Sequence, residues 1–216
     1  MAFTDQTRSE LTELAARYPQ SKSAVMPMLH LLQSVEGAVT PDGIQACADV
    51  LGISEAEVAA VATFYSMYDA SKWGTHHIGV CTNTGCGLLG GDAVYERLRE
   101  RLGLPGEGTT ADGEFTLHRI ECQAACTHAP VMTVDWEFMD DVTPTSAVDV
   151  IDRLARGERV ESTRGPVIRD LRATERTLAF PDDGLAGEGR VVDDKMLAGL
   201  RIAKERGMTA PQVQGG

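Results

Sequence analysis

Five cysteines punctuate a chain of 216 residues, and four of them fall into two pairs with matched surroundings. The first pair is Cys81-x4-Cys86 in CTNTGC and the second is Cys122-x3-Cys126 in CQAAC. Each begins at the end of a strand-like run, HHIGVC (76–81) or FTLHRIEC (115–122), and continues into the loop after it. Four thiolates are what a 2Fe–2S cluster requires, two for each iron. Such a unit carries about −2 charge when oxidised and about −3 when reduced, so it needs hydrogen-bond donors and no further anions nearby. Both loops meet that demand. Residues 82–91 hold no charged side chain, and 123–134 hold none beyond a titratable His128. The small residues Gly85, Gly87, Gly90, Gly91, Ala124 and Ala125 let backbone N–H groups approach sulfur closely.

Other chemistries compete for these cysteines. Structural zinc also takes four thiolates, but its pairs favour tight C-x2-C knuckles, which x4 with x3 fits less well. A zinc-stabilised adaptor that binds partners is therefore the competing function. A thiol oxidoreductase would want C-x-x-C before a helix, and a Rieske centre would want two histidine ligands; neither pattern occurs. Cys47 falls on the apolar stripe of a helix and reads as a buried thiol. Gly85-x-Gly87-x-x-Gly90 follows a strand and precedes a helix, as a dinucleotide-binding turn does. It has a cysteine inside it and lacks the acidic residue about 20 positions on that NAD binding needs.

The elements that must position these loops can be read from pattern. Residues 1–72 read as a small helical bundle. Thr7 with Glu10 and Ser54 with Glu57 fit capping boxes, Thr40-Pro41 is a cap followed by proline, and Gly37 and Gly52 sit where helices stop. Residues 73–157 change period. The strand 76–81 is followed by a helix over 92–103, strand-like runs at 115–122 and 131–136, and a helix from Thr143-Pro144 to Gly157. This β-α-β-β-α order predicts an α/β layer with helices packed on a short sheet. Residues 158–216 form a weakly patterned C-terminal extension, broken by GPV, FPDDG and GEG, in which only 195–207 reads as helical. Such a tail suits wrapping around a partner.

Composition bounds the rest. No run of apolar residues is long enough to span a membrane, and Asp5, Arg8 and Glu10 occupy the place where a signal peptide needs its apolar stretch. These features point to the reducing cytoplasm, where cysteines serve metal or redox chemistry rather than a disulfide framework. Of 20 basic and 32 acidic side chains, residues 158–216 hold 10 of each, so the whole excess of acid lies in residues 1–157. An acidic body repels nucleic acid and anionic lipid, and is steered toward basic protein surfaces.

CTNTGC, the 35-residue gap and ECQAACTHAPVM resemble the cluster-binding core of the small 2Fe–2S subunit of NADH:quinone oxidoreductase, respiratory complex I. RYPQSKSAVMPMLHLLQ and EVAAVATFYSMY resemble the helical region of the same family, and the likeness covers about residues 10–157. It implies a thioredoxin-like ferredoxin domain preceded by a helical bundle. It also implies one 2Fe–2S cluster on Cys81, Cys86, Cys122 and Cys126, with no catalytic residue of the chain's own. The partners implied are a flavoprotein subunit that binds FMN and NADH and a neighbouring iron–sulfur subunit, on the peripheral arm of a membrane-bound complex. The same module in NAD-linked hydrogenases and formate dehydrogenases is the alternative host. The chain departs from the family's pattern at Ala124, where glycine is usual, and at His128, where asparagine is usual. Alanine there would strain a loop that needs positive φ, and histidine places a titratable group near the cluster.

Overall fold

A computed structural model describes residues 3–181, 184, 189 and 192–209. The first helix, α1 (Asp5–Ala16), begins earlier than the Thr7–Glu10 capping box predicts. Thr4 is the cap: its side chain accepts the Thr7 N–H at 3.1 Å, while Thr7 itself is buried. Glu10 is drawn away from the helix start by Arg176, 2.6 Å distant. The next three helices follow the sequence signals. α2 (Val25–Glu36) and α3 (Pro41–Leu51) end on Gly37 and Gly52, both left-handed, and Thr40 caps α3. α4 (Glu55–Phe64) has the full Ser54–Glu57 box. Their apolar stripes meet in one core that includes Leu11, Leu14, Met28, Leu29, Cys47 and Val58.

The second half is built on a five-stranded sheet of order β2-β3-β1-β4-β5, comprising β1 (His76–Cys81), β2 (Gly108–Thr109), β3 (Phe115–Ile120), β4 (Met132–Val134) and β5 (Glu137–Met139). β1 and β3 are parallel neighbours, joined through α5 (Thr84–Leu88) and α6 (Gly91–Leu102); β4 runs antiparallel on the other side of β1. α7 (Pro144–Ala155) starts at Thr143 with a capping box to Ser146, and packs beside α6. Ile78, Val80, Leu98, Leu117, Met132 and Ile151 fill the core between helices and sheet. The 131–136 run contributes β4 and then a hairpin turn at Asp135 and Trp136, with φ of 50° and 69°, which leads into β5.

Beyond Gly157 the chain holds more order than its composition suggests. α8 (Leu171–Ala179) packs along α2, with Leu171, Glu175 and Ala179 buried, and Ala179 joins the N-terminal core. α9 (Ala198–Glu205) falls within the 195–207 helix expected from sequence and buries no side chain. Parts of the FPDDG and GEG breaks lie outside the described residues. Among the described residues, no helix is long and apolar enough to cross a membrane.

Candidate metal centre

Because β1 and β3 are parallel neighbours with Cys81 level with Ile120, the loops that follow them leave the same end of the sheet side by side. That places CTNTGC against ECQAAC. A Cβ on Gly85 would lie 4.0 Å from the Cβ of Cys126, so the glycine-rich turn faces the second cysteine loop. The first loop folds tightly enough that a Cβ on Gly91 would lie 2.5 Å from the Cys81 carbonyl and 2.9 Å from that of Cys86. Glycine is required there because backbone crowds the position on two sides. The glycines of the apparent dinucleotide motif thus serve to wrap backbone around two cysteines.

The thiols come in two pairs of different exposure. Cys81 and Cys86 are buried in a small apolar cluster with Ala125 and Val131, flanked by Ile120 and Phe138. Cys122 and Cys126 are exposed, with their sulfurs 3.7 Å apart. Val131 ties the buried pair to the sheet: its carbonyl accepts the Cys81 N–H at 3.1 Å, and its own N–H is directed at the Cys86 sulfur. Burial, then a hydrogen bond with Cys81, pushes the Cys86 thiol up to about 11, and the hydrogen bond with Cys122 raises Cys126. Two thiolates side by side repel, so Cys86 and Cys126 each hold a proton more tightly than a lone thiol until a cation takes its place. Cys47 is fully buried in the other core, and burial alone pushes its thiol up to about 12.

This donor set fits a binuclear iron unit. It offers two thiol pairs at one end of the sheet, the number of thiolates that two irons would need.

Two departures noted in the sequence acquire geometry. Ala124 has φ +54°, the left-handed region that glycine occupies freely. Ala124→Gly is expected to stabilise the protein by about 0.5–1 kcal/mol, the relief of strain exceeding the added freedom of the unfolded chain. A urea midpoint that rises supports this; a lower one rejects it. His128 is buried, and tertiary structure surrounds it with charge that its own loop lacks: Asp141 lies 3.5 Å from Nδ1 and Asp193 3.1 Å from Nε2.

The family model described as thioredoxin-like [2Fe-2S] ferredoxin matches residues 11–155, which is more than half of the chain. The chain belongs to this family. The NADH-quinone oxidoreductase component designated E in Mycobacterium tuberculosis is 45% identical over 208 residues, covering 94% of this chain and 81% of the relative. The component designated 2 in the NADH-quinone oxidoreductase of Thermus thermophilus is 35% identical over 170 residues, covering 77% and 93%. By these relationships this thioredoxin-like ferredoxin is a 2Fe–2S subunit of an NADH-quinone oxidoreductase complex. Solved structures titled NAD+-reducing [NiFe]-hydrogenase, in air-oxidized and H2-reduced states, share the fold with a TM-score of 0.53 at 15% identity. In the air-oxidized one the match spans 60% of this chain and only 23% of the hydrogenase chain.

Proposed function

We propose that Cys81, Cys86, Cys122 and Cys126 ligate the cluster, one pair to each iron, and that this chain serves as a one-electron relay beside the flavin of NADH:quinone oxidoreductase. The observation that carries the reading is the convergence of two thiol pairs at one end of the sheet, the exposed pair 3.7 Å apart and the buried pair packed under it. When bound, the cluster accepts and releases single electrons. The chain supplies the rest: four thiolates, the Val131 N–H toward sulfur, and loops free of carboxylates from 82 to 91 and from 123 to 134. The exposed pair offers the face on which a redox partner approaches. In this reading residues 1–72 are the helical bundle, 73–157 the cluster domain, and 158–216 an extension whose α8 completes the bundle core and whose later part wraps a partner. The chain sits on the cytoplasmic peripheral arm, against the flavoprotein and a neighbouring iron–sulfur subunit. The 45% identity to a component of NADH-quinone oxidoreductase favours that host over a hydrogenase or formate dehydrogenase.

The test uses anaerobically purified protein. About two irons and two acid-labile sulfides per chain are expected, EPR-silent until reduced. NADH should bleach the visible bands only when the flavin-binding partner is present. Stoichiometric zinc without labile sulfide, the signature of a zinc-stabilised adaptor, would end the proposal.

A further inference from the structure

Asn83 stands at the start of α5 and does not do what asparagine usually does there. It is the N-cap residue, with the extended backbone of one (φ −69°, ψ 165°), yet its side chain accepts no N–H from the helix. An asparagine oxygen in that role is worth about 1 kcal/mol, and here that contribution is forgone. The amide is turned the other way, across the gap between the two cysteine loops. Its Nδ2 lies 3.1 Å from the Ile120 carbonyl and 4.0 Å from the Cys81 sulfur. A carbonyl oxygen can only accept, so the group facing it is the NH2 and the orientation of the amide is settled.

The two hydrogens of that NH2 suit two partners. One satisfies the carbonyl at the end of β3, in the residue level with Cys81 across the sheet. It thereby ties the first cysteine loop to the strand from which the second departs. The other hydrogen is left for the sulfur. Cys81 is only 2% exposed, so water is a poor substitute for this donor. The other sulfur of the buried pair, that of Cys86, already has the Val131 N–H. We propose that Asn83 is a positioning residue for the cluster, which holds the two ligand loops together and gives the Cys81 thiolate its N–H donor. This rests on the functional reading above and deepens it. A donor at a ligand sulfur favours the reduced, more negative cluster and so raises its potential. A contact of 4.0 Å is long for a neutral sulfur, and a thiolate draws the same N–H more strongly.

The experiment compares the cluster-loaded full chain with its Asn83→Ser and Asn83→Ala variants. Serine caps a helix as well as asparagine does, but it is too short to reach across the loops, so it keeps a cap and loses the donor. Alanine loses both. In each variant the ratio of reduced to oxidised cluster at a fixed ambient potential is expected to fall about three- to tenfold, a midpoint lower by about 30–60 mV for a one-electron couple. Release of iron to a chelator should quicken about tenfold, as when a group that orients a metal ligand is removed. Far-UV circular dichroism should stay native. A serine variant that folds and holds no iron also supports the proposal, since its helix start is intact and only the tie between the loops is gone. Wild-type potential and iron release in both variants overturn the proposal and leave the functional reading standing. A serine variant equal to wild type beside an impaired alanine variant overturns it in favour of a helix cap. Unfolding of both variants overturns it in favour of a purely structural role. A wild-type chain that holds no iron and labile sulfide overturns the functional reading as well.

Discussion

The Cys86→Ser chain is expected to purify folded and nearly colourless, with less than about a tenth of the wild-type iron and sulfide. Cys86 sits in an apolar cluster, and its thiol already resists ionisation, standing at about 11. A serine hydroxyl in that place, far less acidic than a thiol, has no means of presenting an anion to iron. Cys81→Ser should behave alike, since Cys81 is equally buried. The exposed pair allows a graded outcome: at Cys122 or Cys126, water stabilises an alkoxide-like ligand, and a fraction of cluster with shifted visible bands should survive. Cys47→Ser separates ligation from folding. It should keep full iron and an unchanged spectrum, yet lose about 1–3 kcal/mol because a hydroxyl replaces a thiol in an apolar core. Iron and sulfide analysis with visible circular dichroism checks the series. Full iron in Cys86→Ser with a native spectrum would remove that residue from the ligand set.

Why the four cysteines could be paired from sequence, while their surroundings could not, has a physical reason. Each pair lies within one loop, and a strand followed by a charge-poor, small-residue turn is a local signal. That β1 and β3 are parallel neighbours follows from the strand–helix–strand order, so the meeting of the two loops was implied as well. Local signals also gave Thr40, Ser54, Gly37 and Gly52 as helix ends. Thr7 misled because Thr4 and Thr7 are both plausible caps, and the choice is settled by Arg176, a residue far along the chain that takes Glu10 out of the box. The charge around His128 was hidden for the same reason: Asp141 and Asp193 come from other parts of the sequence.

α8 is the clearest case of information that is not local. Its buried face consists of Leu171, Thr174, Glu175 and Ala179, so no hydrophobic period betrays it. A carboxylate on the inner face of a helix argues against burial until its partners are known. Those partners are His30, 145 positions away, and Trp136, 39 positions away. The same contact explains how a bulky tryptophan comes to occupy φ +69° in the turn between β4 and β5. Backbone strain at that residue is offset by the indole's hydrogen bond to Glu175 and its packing against His77 and Trp73.

Glu175→Ala is therefore expected to cost about 3–5 kcal/mol, which for a chain of this size lowers Tm by about 6–20 °C. Glu175 is fully buried; its Oε2 lies 2.5 Å from His30 Nδ1, and its Oε1 accepts the Trp136 indole N–H at 3.0 Å. Alanine takes away the partner of the buried His30 Nδ1 and of the half-buried Trp136 indole N–H, and removes the point at which α2, α8 and the β4–β5 turn are held together. Glu175→Gln keeps one acceptor and most of the volume, so it should cost clearly less than alanine. Neither change should alter the visible spectrum of the folded protein. The register of β1 with β4 puts Trp136 by the His76 end of the strand, opposite Cys81. The same network makes α8 part of the fold. Removing all of 158–216 should unfold the N-terminal bundle, whereas a chain ending at 181 should keep both the network and the cluster. Thermal and urea unfolding of the three proteins decides the matter. An alanine variant within about 1 kcal/mol of wild type would mean that water replaces the carboxylate and that the joint does not depend on it.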